Sequence, residues 1–230
     1  LTAFTTTLTG ATSVTLTSSD TNWSVAATTL DTALAAGVRL NGDLTVTGIS
    51  TEANASTTYS KTATGASNVT LVASDGTWSV ETGALDTDLG NNIKYAGALT
   101  VTDITTGDKS AALADYTTAK TGATTNTLTA DGTWSLTTST LTTALADGVR
   151  LAGALTVTDI TDETAALTAF TATTTGATSV TLTASDSTWS VAATTLDTAL
   201  AAGVRLNGDL TVTGIATETN ASTTYSKTAT

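Results

Sequence analysis

The sequence predicts an all-β fold made of tandem repeats of about 55 residues, with room for short helical turns between strands. The segment AGVRLNGDLTVTGI, residues 36–49, returns in variant form from Asn91, Asp147 and Ala201. Thr occupies 64 of 230 positions and alternates with Val or Leu, which is the period of a half-buried strand. Four tryptophans, spaced 55, 56 and 55 residues apart, mark the repeats: Trp23, Trp78, Trp134 and Trp189.

The composition excludes several kinds of chemistry. The chain contains no Cys, His, Met or Pro, so imidazole and thiol catalysis and zinc clusters are excluded. Lys and Arg total 8 and the net charge is −12, which disfavours nucleic acid and anionic membranes as partners. No apolar run approaches the roughly 18 residues of a membrane helix, so we predict no membrane insertion in this segment. We predict that the protein is not an enzyme and needs no cofactor.

Each repeat opens with a predicted strand and continues to a tryptophan. The opening strands follow the glycines at positions 10, 65, 122 and 176. An aspartate stands three residues before each tryptophan, and we expect it to cap a turn that precedes a second short strand. About five short strands are expected in a repeat.

A leucine pair follows each tryptophan with a spacing of four, as in Leu30 and Leu34. This spacing puts both side chains on one helical face, and a Thr before and a Gly after it resemble helix caps. A tight bend between strands is the alternative. The two interpretations have equal weight at this point.

The next segment predicts a β-hairpin. Asn41-Gly42 and Asn207-Gly208 stand between alternating strands, which is a strong hairpin signal, and repeats two and three carry Ala-Gly in its place. A looser closing segment follows in each repeat, and its aromatic residue is expected to anchor a last strand. Tyr59, Tyr116, Phe170 and Tyr225 hold equivalent places, and Phe4 is their counterpart at the start of the sequence.

The markers divide the chain into repeat 1 (1–54), repeat 2 (55–110), repeat 3 (111–166) and repeat 4 (167–230). Residues 1–64 match residues 167–230 at 57 of 64 positions, so three repeats form a block of 166 residues. Leu1 and Thr230 therefore correspond to mid-chain positions, and we expect the sequence to be an excerpt of a longer array.

A single repeat has little large apolar content and would be marginally stable alone. Stacking each repeat on the next would bury shared faces, which favours a β-solenoid-like array or stacked β-modules. The alternative is a string of small β-sandwich modules.

A cation occupies the same place in every repeat: Arg39, Lys94, Arg150 and Arg205. The simpler interpretation is an ion pair with a local carboxylate such as Asp31 or Asp43, or a charge that blocks a strand edge. The alternative is a contact between repeats or between subunits of an assembly.

Two weaker site hypotheses remain. Asp159, Asp162 and Glu163 are clustered oxygen ligands that could hold a weak structural Ca²⁺, although no calcium-binding motif occurs. Recurring Thr-x-Thr triplets, such as Thr45/Thr47, would resemble an ice-binding surface if they lined one flat face. The simpler interpretation is that Thr is the outward residue of alternating strands.

The segments AAGVRLNGDLTVTGI and ALADGVRLAGALTVTDIT and the Lys-poor composition resemble the repeat regions of secreted bacterial surface proteins. These include S-layer, sheath and filament proteins and large repeat adhesins. The resemblance implies an extracellular or cell-surface location and self-association into a filament, sheath or surface layer. The alternative is an adhesin region that extends the protein or binds a glycan, a cell or ice. Buried tryptophans would favour the scaffold, and exposed ones would favour recognition.

Overall fold

The computed structural model describes residues 1–216 and 224–226, apart from the side chains of Thr2 and Leu8. Strands make up 44% of the described residues and helices 33%. The β-rich character is therefore confirmed, but the fold combines parallel sheets with helices and is not all-β.

The strands come in pairs along the chain, and the pair is long in repeats 1, 2 and 4. In repeat 3 each long strand is broken in two. The strands are β1 (Val14–Ala26), β2 (Val38–Ile49), β3 (Asn68–Glu81), β4 (Ile93–Ile104), β5 (Thr125–Ala130), β6 (Trp134–Thr137), β7 (Val149–Ala152), β8 (Ala154–Ile160), β9 (Ser179–Ala192) and β10 (Val204–Thr213). Two long strands therefore replace the five short ones that were expected.

Helices connect the strands. A 3₁₀ turn at Thr2–Phe4 precedes α1 (Thr6–Thr9), α2 (Ala27–Ala35), α3 (Ala55–Thr58), α4 (Lys61–Thr64), α5 (Thr82–Gly90), α6 (Lys109–Asp115), α7 (Thr118–Thr121), α8 (Thr138–Ala146), α9 (Glu163–Ala169), α10 (Ala172–Thr175) and α11 (Ala193–Ala201). The nine-residue helices α2, α5, α8 and α11 contain the leucine pairs, so the helical interpretation is confirmed over the tight bend. Gly37 after α2 has a φ of 79°, the left-handed geometry of a C′ glycine.

The chain forms two compact units. The first contains residues 1–102 and 116–126, and its strands are hydrogen-bonded in the order β1-β2-β3-β4 with every pair parallel. The second contains residues 103–115 and 127–230, and its sheet has the order β10-β9-β8-β6, again parallel.

The Asn-Gly pairs do not form hairpins. Asn41 and Gly42 lie inside β2, which runs without reversal and pairs in parallel with β1. Thr17 of β1 faces Asn41 and Asn22 faces Asp43, so four residues of β1 bulge opposite the single Gly42. The glycine is required because a Cβ there would lie 2.1 Å from the carbonyl oxygen of Thr21. The glycine is present because two strands approach each other closely here. The hairpin prediction attributed it to a reversal of the chain and is wrong.

In repeats 1, 2 and 4 the aspartate before the tryptophan caps this bulge, as predicted. Asp75 Oδ1 accepts the backbone N–H of Thr77 at 3.0 Å, and Asp20 and Asp186 make the same contact with Asn22 and Thr188. These backbone hydrogen bonds hold the pKa of Asp75 and of Asp186 below the ordinary value, whereas in Asp20 the larger contribution comes from the Ser18 hydroxyl.

The closing segments around Tyr59, Tyr116 and Phe170 are helical, so the last strand predicted there is wrong. The segment that precedes Tyr225 lies outside the described residues. Tyr59 follows α3 and Tyr116 follows α6, and both rings are buried. The Tyr59 hydroxyl donates to Asp31 of α2 at 2.9 Å, and Tyr116, Tyr225 and their aspartates repeat this contact. The residues equivalent to this pair in repeats 3 and 4 are Thr142 and Phe170, so both hydrogen-bonding partners change together. The aromatic residues anchor helices to helices.

Candidate functional site

The four tryptophans make one equivalent contact. Each indole Nε1 donates over 3.1 to 3.2 Å to the carbonyl oxygen of the residue before the bulge-facing glycine: Asn41, Ala96, Ala152 or Asn207. Trp78, Trp134 and Trp189 are at most 3% exposed, and Trp23 is half-buried. Each indole therefore joins the two strands of its own repeat inside the core, with its N–H satisfied.

Within each compact unit, consecutive repeats meet at a strand pair that we call the repeat junction: β2 with β3, and β8 with β9. Leu44 faces Val69 in the first junction, and Leu155 faces Val180 in the second. The register is the same in both, and all four of these side chains are at most 2% exposed. Neighbouring repeats therefore share main-chain hydrogen bonds and apolar contacts.

A side-chain brace also links consecutive repeats. The residue seven positions before the closing aromatic reaches the backbone beside the next tryptophan. The contacts are Glu52 Oε2 with Ser79 N (3.3 Å), Glu163 Oε2 with Ser190 N (3.0 Å) and Lys109 Nζ with Thr133 O (2.9 Å). Either a glutamate or a lysine can form the brace, because the glutamates accept from a backbone N–H and the lysine donates to a backbone carbonyl.

The repeated cations do not form the ion pairs predicted with Asp31 or Asp43. Those carboxylates accept instead from Tyr59 and Asn68. Each arginine Nη1 donates to two backbone carbonyls, one of them in the last turn of the preceding helix: Arg39 to Leu34 and Val38, Arg150 to Leu145 and Val149, and Arg205 to Leu200 and Val204. Lys94 Nζ donates to Ala119 O at 3.3 Å. Helix C-terminal carbonyls lack intrahelical partners and carry partial negative charge, so they attract the cation.

Replacing Arg150 with Met should lower the free energy of unfolding by about 1 kcal/mol, because the stem stays and the donors to the α8 terminus are lost. Arg150→Glu should cost more, about 2 kcal/mol, since a carboxylate would face those carbonyls. Urea unfolding measures both changes. Equal stability of Arg150→Glu and the parent chain would contradict this capping role.

The three candidate calcium ligands have separate tasks. Asp162 Oδ1 accepts the N–H of Ala165 and caps α9, Glu163 braces Ser190, and Asp159 has a left-handed φ of 58° at the end of β8. Within residues 1–216 and 224–226, no three acidic side chains approach closely enough to hold a metal ion. The calcium hypothesis therefore finds no support in the geometry.

The outward threonines align across strands, but each row is short. Ser24, Thr45 and Thr70 occupy adjacent positions on β1, β2 and β3, and the row then meets Lys94 on β4. The second compact unit repeats the pattern from Ser135 through Thr156 and Thr181 to Arg205. A cation therefore follows three hydroxyl residues in each row, which does not favour an extended ice-binding face.

A cavity of about 510 Å³ is lined mainly by repeat 2 and by the last residues of repeat 1, and its polar lining departs from the other repeats. Glu52, Glu81 and Asp88 contribute carboxyl groups, and Trp78 and Tyr95 contribute aromatic rings. The two rings meet edge to face with centres 4.9 Å apart. Both aromatic residues are 3% exposed, so their faces are taken up by the core.

Asp88 and Tyr95 form a buried pair that was not predicted. The Tyr95 hydroxyl donates to Asp88 Oδ2 in a short hydrogen bond, and burial, followed by this bond, raises the pKa of Tyr95 well above its ordinary value. The equivalent residues of the other repeats are Ala33 with Leu40, Ala144 with Leu151 and Ala199 with Leu206. Comparing the repeats position by position would have found the pair, because both residues change together.

Tyr59 gives a pH-dependent prediction. Burial, then the hydrogen bond to Asp31, raises the pKa of Tyr59 to about 12, against about 10 in an unfolded chain. The folded state thus holds this proton more tightly, so its contribution is complete below pH 10 and is lost as the pH rises towards 12. We expect Tyr59→Phe to reduce the loss of stability over that interval in urea unfolding. An unchanged slope would contradict the contact.

No protein-family model, curated protein or solved structure gave a significant match to this chain. In the part of the chain that the structure describes, no helix combines the length and apolar content needed to cross a bilayer.

Proposed function

We propose that this chain is a secreted structural repeat protein whose copies assemble into a filament, sheath or surface layer, and that its repeats form a continuous β-solenoid-like array. The repeat junction carries the proposal, because β2 with β3 and β8 with β9 join consecutive repeats in one parallel register. Stability in such an array is a sum of repeat and junction terms, so each added repeat lengthens the structure without a new kind of contact.

The burial of the tryptophans supports a scaffold over a recognition surface. Three indoles are at most 3% exposed and every indole N–H is bonded to a backbone carbonyl. A glycan-binding site needs an accessible aromatic face, which Trp78, Trp134 and Trp189 do not offer.

Net charge makes salt a sensitive variable for assembly. Copies with a charge of −12 repel one another at low ionic strength, and this repulsion is screened over about 8 Å at physiological salt. Self-association through backbone hydrogen bonds and apolar side chains should therefore strengthen as salt is added.

Electron microscopy and light scattering of the purified chain at low and physiological salt test the proposal. Regular filaments or sheets that grow with salt are expected. Dispersed monomers under both conditions would contradict self-assembly.

The adhesin alternative is supported by the cavity of repeat 2, where Asp88 and Tyr95 replace the Ala and Leu of the other repeats. A glycan array tests it with the double variant Asp88→Ala/Tyr95→Leu as the matched control. Binding by the parent chain that the double variant loses would support an adhesin role, and binding by neither chain would contradict it.

A further inference from the structure

Four asparagines stand in the triplet at which N-linked glycans are attached: Asn, any residue except Pro, then Ser or Thr. They are Asn22, Asn54, Asn68 and Asn220, and Asn220 lies outside the described residues. In a chain rich in Ser and Thr this triplet also arises without a glycan. The other three asparagines are all exposed, so their contacts, and not their burial, distinguish one from another.

Two of these asparagines have structural hydrogen bonds in paired strands. The side-chain amide of Asn22 donates to the carbonyl oxygen of Asp20 at 2.8 Å, inside the bulge of β1. The side-chain amide of Asn68 donates to Asp43 Oδ1 at 2.7 Å, across the repeat junction. Both asparagines are Cα partners of Asp43, one on each side of β2. A modifying enzyme that acted on either residue would have to disturb these contacts.

Asn54 has a different setting. It follows the end of β2 and immediately precedes α3. An asparagine at such a place normally accepts a backbone N–H of the helix through its side chain. Asn54 makes no such capping bond, and it has a left-handed φ of 64°, which asparagine tolerates better than most residues. Its exposed amide is therefore left outside the hydrogen bonding of the helix that follows.

The closing helix is shortened where this asparagine occurs. Counted from the closing aromatic, the equivalents of Asn54 in the next two closing segments are Ala111 and Ala165. There the seven-residue helices α6 and α9 run through the position. By contrast α3 begins only after Asn54 and has four residues, so residues 50–54 are neither helix nor strand. Such a segment opens more readily than a paired strand, because fewer backbone hydrogen bonds have to break.

We propose that Asn54 is an attachment site for an N-linked glycan. The inference adds a modification to the proposed function and rests on the secretion of the chain that this function includes. The sugar donor is an oligosaccharide carried on a lipid pyrophosphate. The amide nitrogen of Asn54 forms a bond to the anomeric carbon, the bond from that carbon to the pyrophosphate oxygen breaks, and the lipid pyrophosphate leaves with the electron pair. The amide gives up one proton to a base of the transferase.

A glycan at Asn54 is compatible with the stacking of repeats. Asn54 belongs to neither strand of the junction between β2 and β3. A bulky hydrophilic group there would leave the main-chain hydrogen bonds of the junction in place. Asn68, in contrast, faces Asp43 within that junction. The residue that carries the glycan is thus separate from the residues that join the repeats.

Trypsin allows each triplet to be followed separately, since it places the three described triplets in residues 1–39, 40–61 and 62–94. The folded chain is incubated with a membrane oligosaccharyltransferase and a lipid-linked oligosaccharide, and the mass of each tryptic peptide is followed with time. Synthetic peptides that contain the same triplets are treated in parallel. They give the intrinsic rate of each triplet and show that the transferase is active.

We expect the ratio of the folded-chain rate to the peptide rate to be at least roughly tenfold larger at Asn54 than at Asn22 or Asn68. A smaller difference, or an Asn54 that stays unmodified in the folded chain while its peptide reacts, would overturn the inference. Self-assembly would then still stand, because it is measured without the transferase. Modification of Asn54 in a chain that never assembles would have the opposite meaning: the attachment site would stand and the proposed assembly would fail.

Variants of Ser56, the third residue of the triplet, provide a matched control. Ser56→Ala removes the hydroxyl and should slow modification of residues 40–61 at least roughly tenfold, whereas Ser56→Thr keeps the triplet and should be modified like the parent chain. The Ser56 hydroxyl also forms a hydrogen bond with Tyr95, so circular dichroism checks the fold of both variants. Asn54→Gln leaves Ser56 in place and should remain unmodified. Unchanged modification in Ser56→Ala or Asn54→Gln would overturn the assignment to Asn54.

Discussion

Replacing Gly97 with Ala should lower the free energy of unfolding by about 3 kcal/mol or more. Gly97 has a φ of 109°, and an added Cβ would lie 2.2 Å from the carbonyl oxygen of Gly76 in the facing bulge. Both atoms that would collide belong to or adjoin the backbone, so neither can rotate away. Urea unfolding followed by circular dichroism measures the loss, with an unchanged dependence on urea showing that the same structure unfolds.

Substitutions at two other glycines distinguish a steric collision from backbone strain as the cause of this loss. Gly153 holds the equivalent place in repeat 3 with a φ of 96°, but no atom lies within 4 Å of its added Cβ, so Gly153→Ala should show only backbone strain, about 1 to 2 kcal/mol. Gly83 lies in α5 with open space, and Gly83→Ala should stabilise by about 0.5 to 1 kcal/mol. Equal losses for Gly97→Ala and Gly153→Ala would show that the close approach of strands is not the cause.

Tyr95→Leu should lower the free energy of unfolding by about 3 to 5 kcal/mol, because it leaves the Asp88 carboxyl group buried without the hydroxyl that it accepts from. The double variant Asp88→Ala/Tyr95→Leu should recover most of that loss. It restores the Ala and Leu that the other three repeats place at these positions. Repeat 2 would then have the apolar core that its neighbours already use.

A double-mutant cycle with Asp88→Ala, Tyr95→Leu and the combination measures the coupling between the two side chains. We expect a coupling of about 2 kcal/mol or more, since the single variants each leave one polar partner unsatisfied. Additive losses in the double variant would mean that Asp88 and Tyr95 stabilise repeat 2 independently. Additive losses would also contradict the inference that Asp88 and Tyr95 depend on each other as a pair.

Local sequence patterns predicted the elements that depend on nearby residues. The Leu30 and Leu34 spacing gave a helix the same weight as a tight bend, and α2 is a helix with both leucines in it, since residues three and four apart share a helical face. The aspartate before each tryptophan was predicted to cap a turn because its carboxyl group reaches a backbone N–H two residues on. Both contacts join residues that are only two to four positions apart in sequence.

One error concerns a contact between distant residues. Asn41-Gly42 has the local signature of a hairpin, yet Gly42 faces a bulge about 20 residues earlier in the sequence. A partner at that separation cannot be inferred from the spacing of nearby residues. The arginines were assigned to carboxylates by charge, but each binds a carbonyl of the preceding helix that lies only five residues before it. That contact is local, and charge alone did not identify it.

The sequence by itself determined the repeat length, the markers Trp23, Trp78, Trp134 and Trp189, the β-rich character and the absence of thiol and imidazole chemistry. These follow from composition and period. Only the tertiary structure decided that the strands run parallel with helices between them, that the indoles point into the core and that β2 meets β3 in a set register. Strand direction and register depend on which backbone groups pair across long separations, and the residues of a single strand do not fix them.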